Sequence, residues 1–186
     1  MCNISKGRGR KNCANLKSGV KKLILANYLG PQDESGIITV SGTASGHQLT
    51  SLGSITEAFG YALKVDSAVN TLSFGSSNRN SENDVVTWAP TGTFQLNGVN
   101  AELEFQLKMM TYGTPYAFVE GRDGNLVAMG IEGGCKINYE GGFGAGLDSL
   151  NGYTITITAI ESEPVFYLSA SASVALKAMV ATASNL

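Results

Sequence analysis

Residues 112–168 read YGTPYAFVEGRDGNLVAMGIEGGCKINYEGGFGAGLDSLNGYTITITAIESEPVFYL, and the fold turns on how this run divides. Residues 116–120 and 125–130 are short apolar, β-prone runs with Arg122-Asp123-Gly124 between them. Asp-Gly in that setting predicts a hairpin, because both residues tolerate positive φ. A second turn dipeptide, Asn151-Gly152, precedes YTITITAI at residues 153–160. There Tyr153, Ile155, Ile157 and Ala159 share one face and the threonines the other, the period of a strand. Gly133, Gly134, Gly141, Gly142, Gly144 and Gly146 are too many for a helix to tolerate. The stretch is an antiparallel β module with no catalytic pattern of its own.

N-terminal to it, residues 97–113 fit two periods. Leu103, Phe105, Leu107 and Met109 alternate with polar residues as in a strand, whereas Val99, Leu103, Leu107 and Met110 form a helical stripe. Asn100 as N-cap, Glu102 in the first turn, and Gly113 with Pro115 as a stop decide for a helix over about 99–112. Residues 20–28, 37–40 and 59–65 read as strands, with a turn at Gly30-Pro31-Gln32-Asp33. Residues 41–54 read as a small-residue loop with little to hold one conformation. The polar tract 66–84 reads as a long loop or a hairpin tip. In residues 85–96, Pro90 and Gly92 favour an edge strand or a bulge over a central strand. The tail 169–186 fits a strand, a helix over 174–181, or a segment that orders against a partner.

These readings give a mainly β protein, a sandwich or barrel with one flanking α-helix, in a single domain over residues 1–186. A basic arm (1–19) precedes a β-rich body (20–168) and a small-residue tail (169–186). Hydrophobic content of 43%, charged content of 15%, 23 glycines and 4 prolines suit a globular, turn-rich chain.

The net charge of −2 conceals an asymmetry. Lys6, Arg8, Arg10, Lys11, Lys17, Lys21 and Lys22 come before the first acidic residue, Asp33, and the remainder holds six basic against 15 acidic residues. Such an arm suits electrostatic contact, with nucleic acid or with the acidic face of another copy, or simply a solvated terminus. The apolar run at 23–26 is far too short for a signal peptide core, and no stretch approaches a membrane span. The expectation is a protein made in the cytosol, with Cys2, Cys13 and Cys135 as reduced thiols.

Chemistry is sparse. His47 is the single histidine and no CxxC pair exists, which argues against a zinc site and a histidine-based hydrolase. The glycines at 141–146 lack the spacing and the following Lys-Ser/Thr of a phosphate loop. Glu102/Glu104 and Glu161/Glu163 are the closest carboxylate pairs, and the ordinary reading of both is exposed acids on a polar face. We expect no enzyme activity and no cofactor.

Cys2-Asn3-Ile4-Ser5-Lys6-Gly7-Arg8, Cys13, Leu16 and GVKKLILANY at 19–28 resemble the opening of bacteriophage tail tube proteins. The likeness returns at residues 94–110, at Tyr112-Gly113-Thr114-Pro115, at 116–120, at Asp123-Gly124-Asn125 and at 152–168. The loop around 41–58 and the tail beyond Leu168 depart from the family pattern. The resemblance implies a non-catalytic subunit that forms hexameric rings, stacked into a tube through which genomic DNA passes without specific binding. It implies a virion location, assembly in the host cytoplasm, and other phage tail proteins as partners. In such proteins a β-hairpin from each copy joins a continuous inner barrel, and the tract 66–84 is the candidate for its tip. Candidate subunit contacts are then Lys6, Arg8, Arg10 and Lys11 on the arm, and Ser77, Asn78, Arg79 and Asn80 on the tract. The alternatives are another virion protein of similar fold (head–tail connector, terminator or decoration protein) or a nucleic-acid-binding module. Deleting residues 1–19 is expected to leave the domain folded by circular dichroism while impairing ring stacking; an unfolded product would place the arm in the core.

Overall fold

The computed structural model describes residues 18–30, 39–41, 48–64, 69–75, 77–79, 85–145 and 149–182. The chain begins with β1 (Val20–Ala26), β2 (Thr39–Ser41), β3 (Gln48–Ser51), β4 (Phe59–Ala62) and β5 (Thr71–Ser73). A short pair, β6 (Ser77–Arg79) and β7 (Val86–Trp88), precedes β8 (Thr91–Asn97) and α1 (Ala101–Tyr112). The module at 112–168 supplies β9 (Tyr116–Gly121), β10 (Leu126–Met129), β11 (Lys136–Gly142), β12 (Gly152–Thr158) and β13 (Phe166–Leu168). Last comes α2 (Ala170–Thr182).

Two sheets face each other. The larger runs β2-β3-β13-β10-β9-β1-β4 and the smaller β11-β12-β8-β5. The Asp-Gly hairpin is the pair β9–β10, with Val119 opposite Val127 and Phe118 opposite Ala128. Its turn closes with the Gly121 N–H donating to Asn125 O at 2.9 Å, and Gly124 takes the left-handed φ of 87° that the turn demands. Strand β12 behaves as its alternation predicts: Tyr153, Ile155 and Ile157 are buried, and Thr154, Thr156 and Thr158 are half-buried on the other face.

Every residue of β10, and all of β9 except Gly121, is buried, so the large sheet is covered on both faces. One core lies between the sheets, built from Leu23, Leu25, Val119, Val127, Phe94, Ile155 and Ile157. A second lies on the outer face, where Ile24, Phe118, Leu126 and Ala128 meet Ala172, Leu176 and Val180 of α2. The tail left open by sequence is therefore a helix through residue 182, a second one beyond the single flanking helix expected. Ser169 Oγ accepts from the Ala172 N–H at 3.3 Å at its start.

Helix α1 follows the sequence signals closely. The Asn100 side chain accepts from the Leu103 N–H at 2.6 Å, and the Gly113 N–H closes on Met109 O at 2.9 Å. Leu103 and Leu107 are its buried residues, and the helix packs against β11.

Two expectations are corrected. Pro90 does not mark an edge: it falls in the break between β7 and β8, and β8 lies inside its sheet between β12 and β5. Gly92 serves close packing there, since a Cβ would stand 2.5 Å from the Phe94 ring. Within 41–54, Gln48–Ser51 is strand β3, paired parallel to β13 and anchored by fully buried Leu49. Leu107→Ala is expected to lower stability by about 2–5 kcal/mol and Asn100→Ala by about 1 kcal/mol, both read from urea denaturation midpoints. Equal small losses would contradict the packing described for α1.

Candidate functional site

Strands β6 and β7 form a separate antiparallel ribbon, with Ser77 opposite Trp88, Asn78 opposite Thr87 and Arg79 opposite Val86. Neither strand belongs to the two large sheets. Three residues on each side make a ribbon that is marginal in water on backbone pairing alone. Val86 within it is 39% exposed and Val85 beside it 50%, while Trp88 at its base is half-buried. Just before it, Phe74 packs edge-on against Tyr167 with centroids 6.2 Å apart, and both rings remain partly exposed.

The base of the ribbon is fixed at one residue. The Trp88 N–H donates to Glu161 O at 2.8 Å, and the Glu161 N–H returns to Trp88 O at 2.9 Å. The Glu161 side chain points into the body, where Oε1 accepts from the Ile131 N–H at 2.8 Å and Oε2 from the Glu132 N–H at 3.2 Å. In turn the Glu132 carboxylate accepts from the Ser162 N–H at 2.9 Å and from the Ser162 hydroxyl, while the Tyr28 hydroxyl donates to the Glu132 carbonyl. One buried carboxylate thus ties the ribbon to the turn between β10 and β11.

Burial pushes the Glu161 carboxyl above its ordinary value; N–H groups of Glu132, Ile131 and Gly130 pull it back, and the Glu132 charge adds to the rise. The free thiol of Cys135 is buried, and burial together with the Glu161 charge pushes it far up, the opposite of a reactive thiolate.

Of the contact residues expected from sequence, Ser77, Asn78 and Arg79 come together on β6. Lys6, Arg8, Arg10, Lys11 and Asn80 lie outside the described residues, as do His47, Cys2 and Cys13. The expectation that Glu161 is an exposed acid is wrong, because its carboxylate is taken up by backbone N–H groups in the interior. A signal was present: residue 161 continues the odd-numbered series of Tyr153, Ile155, Ile157 and Ala159 that points inward. Glu102 and Glu104 sit on a helix, where residues two apart diverge, so they do not converge as a strand pair would.

Among the described residues, no cluster of His, Cys, Asp and Glu could hold a metal ion, and no helix is long and apolar enough to cross a membrane. Two clefts are open to solvent. One of about 350 Å³ lies where Leu72 and Phe74 approach Val119, Val127 and Tyr167; the other, about 520 Å³, lies between the end of α1 and strand β1. Compared with known proteins, the chain matches no family model, no curated protein and no solved structure.

Because the folded-state value of Glu161 is raised, its contribution to stability is complete below about pH 4.5 and is lost as pH rises through the folded-state value. Glu161→Gln keeps one acceptor but turns an amide donor toward a backbone N–H, and is expected to lower stability by about 1–3 kcal/mol at low pH. That difference should narrow toward neutral pH in urea titrations. A difference that widens would contradict the buried, raised carboxyl.

Proposed function

We propose that this chain is a structural subunit of a phage tail tube, assembling into stacked, ring-shaped oligomers that enclose a passage for genomic DNA. The observation that carries the reading is the β6–β7 ribbon, which stands outside both sheets and exposes Val86, with exposed Val85 just before it. A ribbon of this length gains stability chiefly by adding to another sheet or packing against another copy. The mainly β sandwich with a flanking helix and the resemblance at residues 1–28 and 94–168 support the same reading.

Charge supports it as well. With 15 acidic residues against six basic ones beyond residue 22, the body repels a polyanion, which suits a conduit that DNA slides through without being held. The chain then works without catalysis or a cofactor. Its partners are further copies of itself and other tail proteins, in a virion tail assembled in the host cytoplasm.

Electron microscopy of purified protein over a concentration series tests this. Stacked rings or hollow tubes are expected, and Val86→Asp should raise the concentration needed for them at least tenfold without altering circular dichroism. Single discrete rings would favour a connector or terminator. Dispersed monomers at every concentration, also with other tail proteins added, would overturn the reading.

A further inference from the structure

The described chain begins at Ser18 and enters the fold beside the cleft of about 350 Å³, which Gly19 and Val20 help to line. The Gly19 carbonyl accepts from the Arg122 N–H at 3.0 Å, and Gly19 takes a left-handed φ of 102°. The start of β1 is thus fixed at the rim of the cleft, against the β9–β10 turn. The cleft itself opens where the small sheet stops. β5 is the last of its four strands, whereas β13, β3 and β2 continue the large sheet beyond β10. Val119 and Val127 form the buried floor, and Phe74 and Tyr167, 44% and 40% exposed, stand at the open side.

Among the described residues, no strand lies beside the outer edge of β5. A free sheet edge next to two half-exposed rings is what native folds cover with a further segment of chain. The residues that lead into the cleft have the chemistry for it. Residues 1–17 carry Lys6, Arg8, Arg10, Lys11 and Lys17 and no acid. Among the described residues that line the cleft, the one charged side chain is Asp123. That sign suits the basic arm and disfavours a phosphate or a nucleic acid. Leu16 stands three residues before Gly19. At no more than about 3.6 Å per residue it reaches about 10 Å from Gly19, enough to cross a cleft of this volume.

We propose that the cleft is the docking site of residues 13–17 of the same chain, with Leu16 seated between Phe74 and Tyr167 over Val127, beside the free edge of β5. The short tether makes the docking intramolecular. The arm then meets its own cleft at an effective concentration on the order of millimolar, well above that of another copy's arm in dilute protein. The inference goes beyond the tube reading, because it concerns the single, unassembled chain.

Disulfide trapping in the full chain tests the docking. In a Cys2→Ser, Cys13→Ser background, Leu16→Cys is combined with Phe74→Cys or Tyr167→Cys, and monomer isolated by gel filtration is oxidised. A link within one chain is expected, read from non-reducing gels and the mass of the linked peptides. Leu16→Cys combined with Val174→Cys, on exposed α2, is expected to link at least tenfold less. As a second readout, Leu16→Asp alone should speed amide hydrogen exchange in Thr71–Ser73 at least tenfold while leaving Gly152–Thr158, in the interior of the fold, unchanged. Links at Val174 as frequent as at Tyr167, or exchange in β5 that Leu16→Asp does not alter, would overturn the proposal. Links formed only between separate chains would overturn it too and give the cleft to another copy's arm. Both readouts are taken on monomer, so a failure to build rings or tubes counts against the tube reading alone.

Discussion

Strands β1, β9 and β10 lack a polar face, and the remaining architecture answers that constraint. Along β10, Val127 and Met129 enter the core between the sheets while Leu126 and Ala128 enter the core on the other side. A sheet of this kind needs a layer on each face, or its middle strands would expose a row of apolar side chains. The small sheet provides one layer through Phe94, Ile155 and Ile157; α2 provides the other through Ala172, Leu176 and Val180. Buried Glu120 sits at the seam, 3.7 Å from Lys21 and 3.1 Å from Lys177. Desolvation offsets much of the attraction in such a group, so it contributes mainly by setting where α2 lies.

The second organising interaction is Glu161. A carboxylate held only by main-chain N–H groups replaces water with fixed dipoles and fastens the β10–β11 turn to the root of the ribbon. The ribbon is therefore hydrogen-bonded to the body at its base while Val86, and Val85 beside it, face solvent. The root of β6–β7 and the turn that precedes buried Cys135 are thus tied to the same residue.

The polar side chains that the fold buries, Asn70, Glu120 and Glu161, are taken up by backbone groups or lysines, whereas several large apolar side chains stay exposed. Among the described residues, large apolar side chains stay exposed at Val86 of the ribbon and at Phe105, Met109 and Tyr112 of α1.

What the sequence determined by itself is what depends on neighbours in the chain. Asn100 and Gly113 bound α1 because capping is a local hydrogen-bonding matter; Asp123-Gly124 sets the β9–β10 hairpin because the turn needs positive φ; β12 shows its inward face by strict alternation. Tertiary structure decided the rest. Ser169 caps residues 170–182, but one cap does not specify a helix alone, and they are helical because the outer face of the large sheet must be covered. Strand β3 pairs antiparallel with nearby β2, but it is tied into the large sheet through buried Leu49 and a parallel pairing to a strand over a hundred residues away, which no local pattern announces. Glu161 is read as a surface acid until the fold turns N–H groups toward it, and Pro90 as an edge marker until the chain breaks around it and leaves β8 in the interior. In each case the deciding interaction joins residues far apart in the sequence, so its energy appears only once the chain has folded.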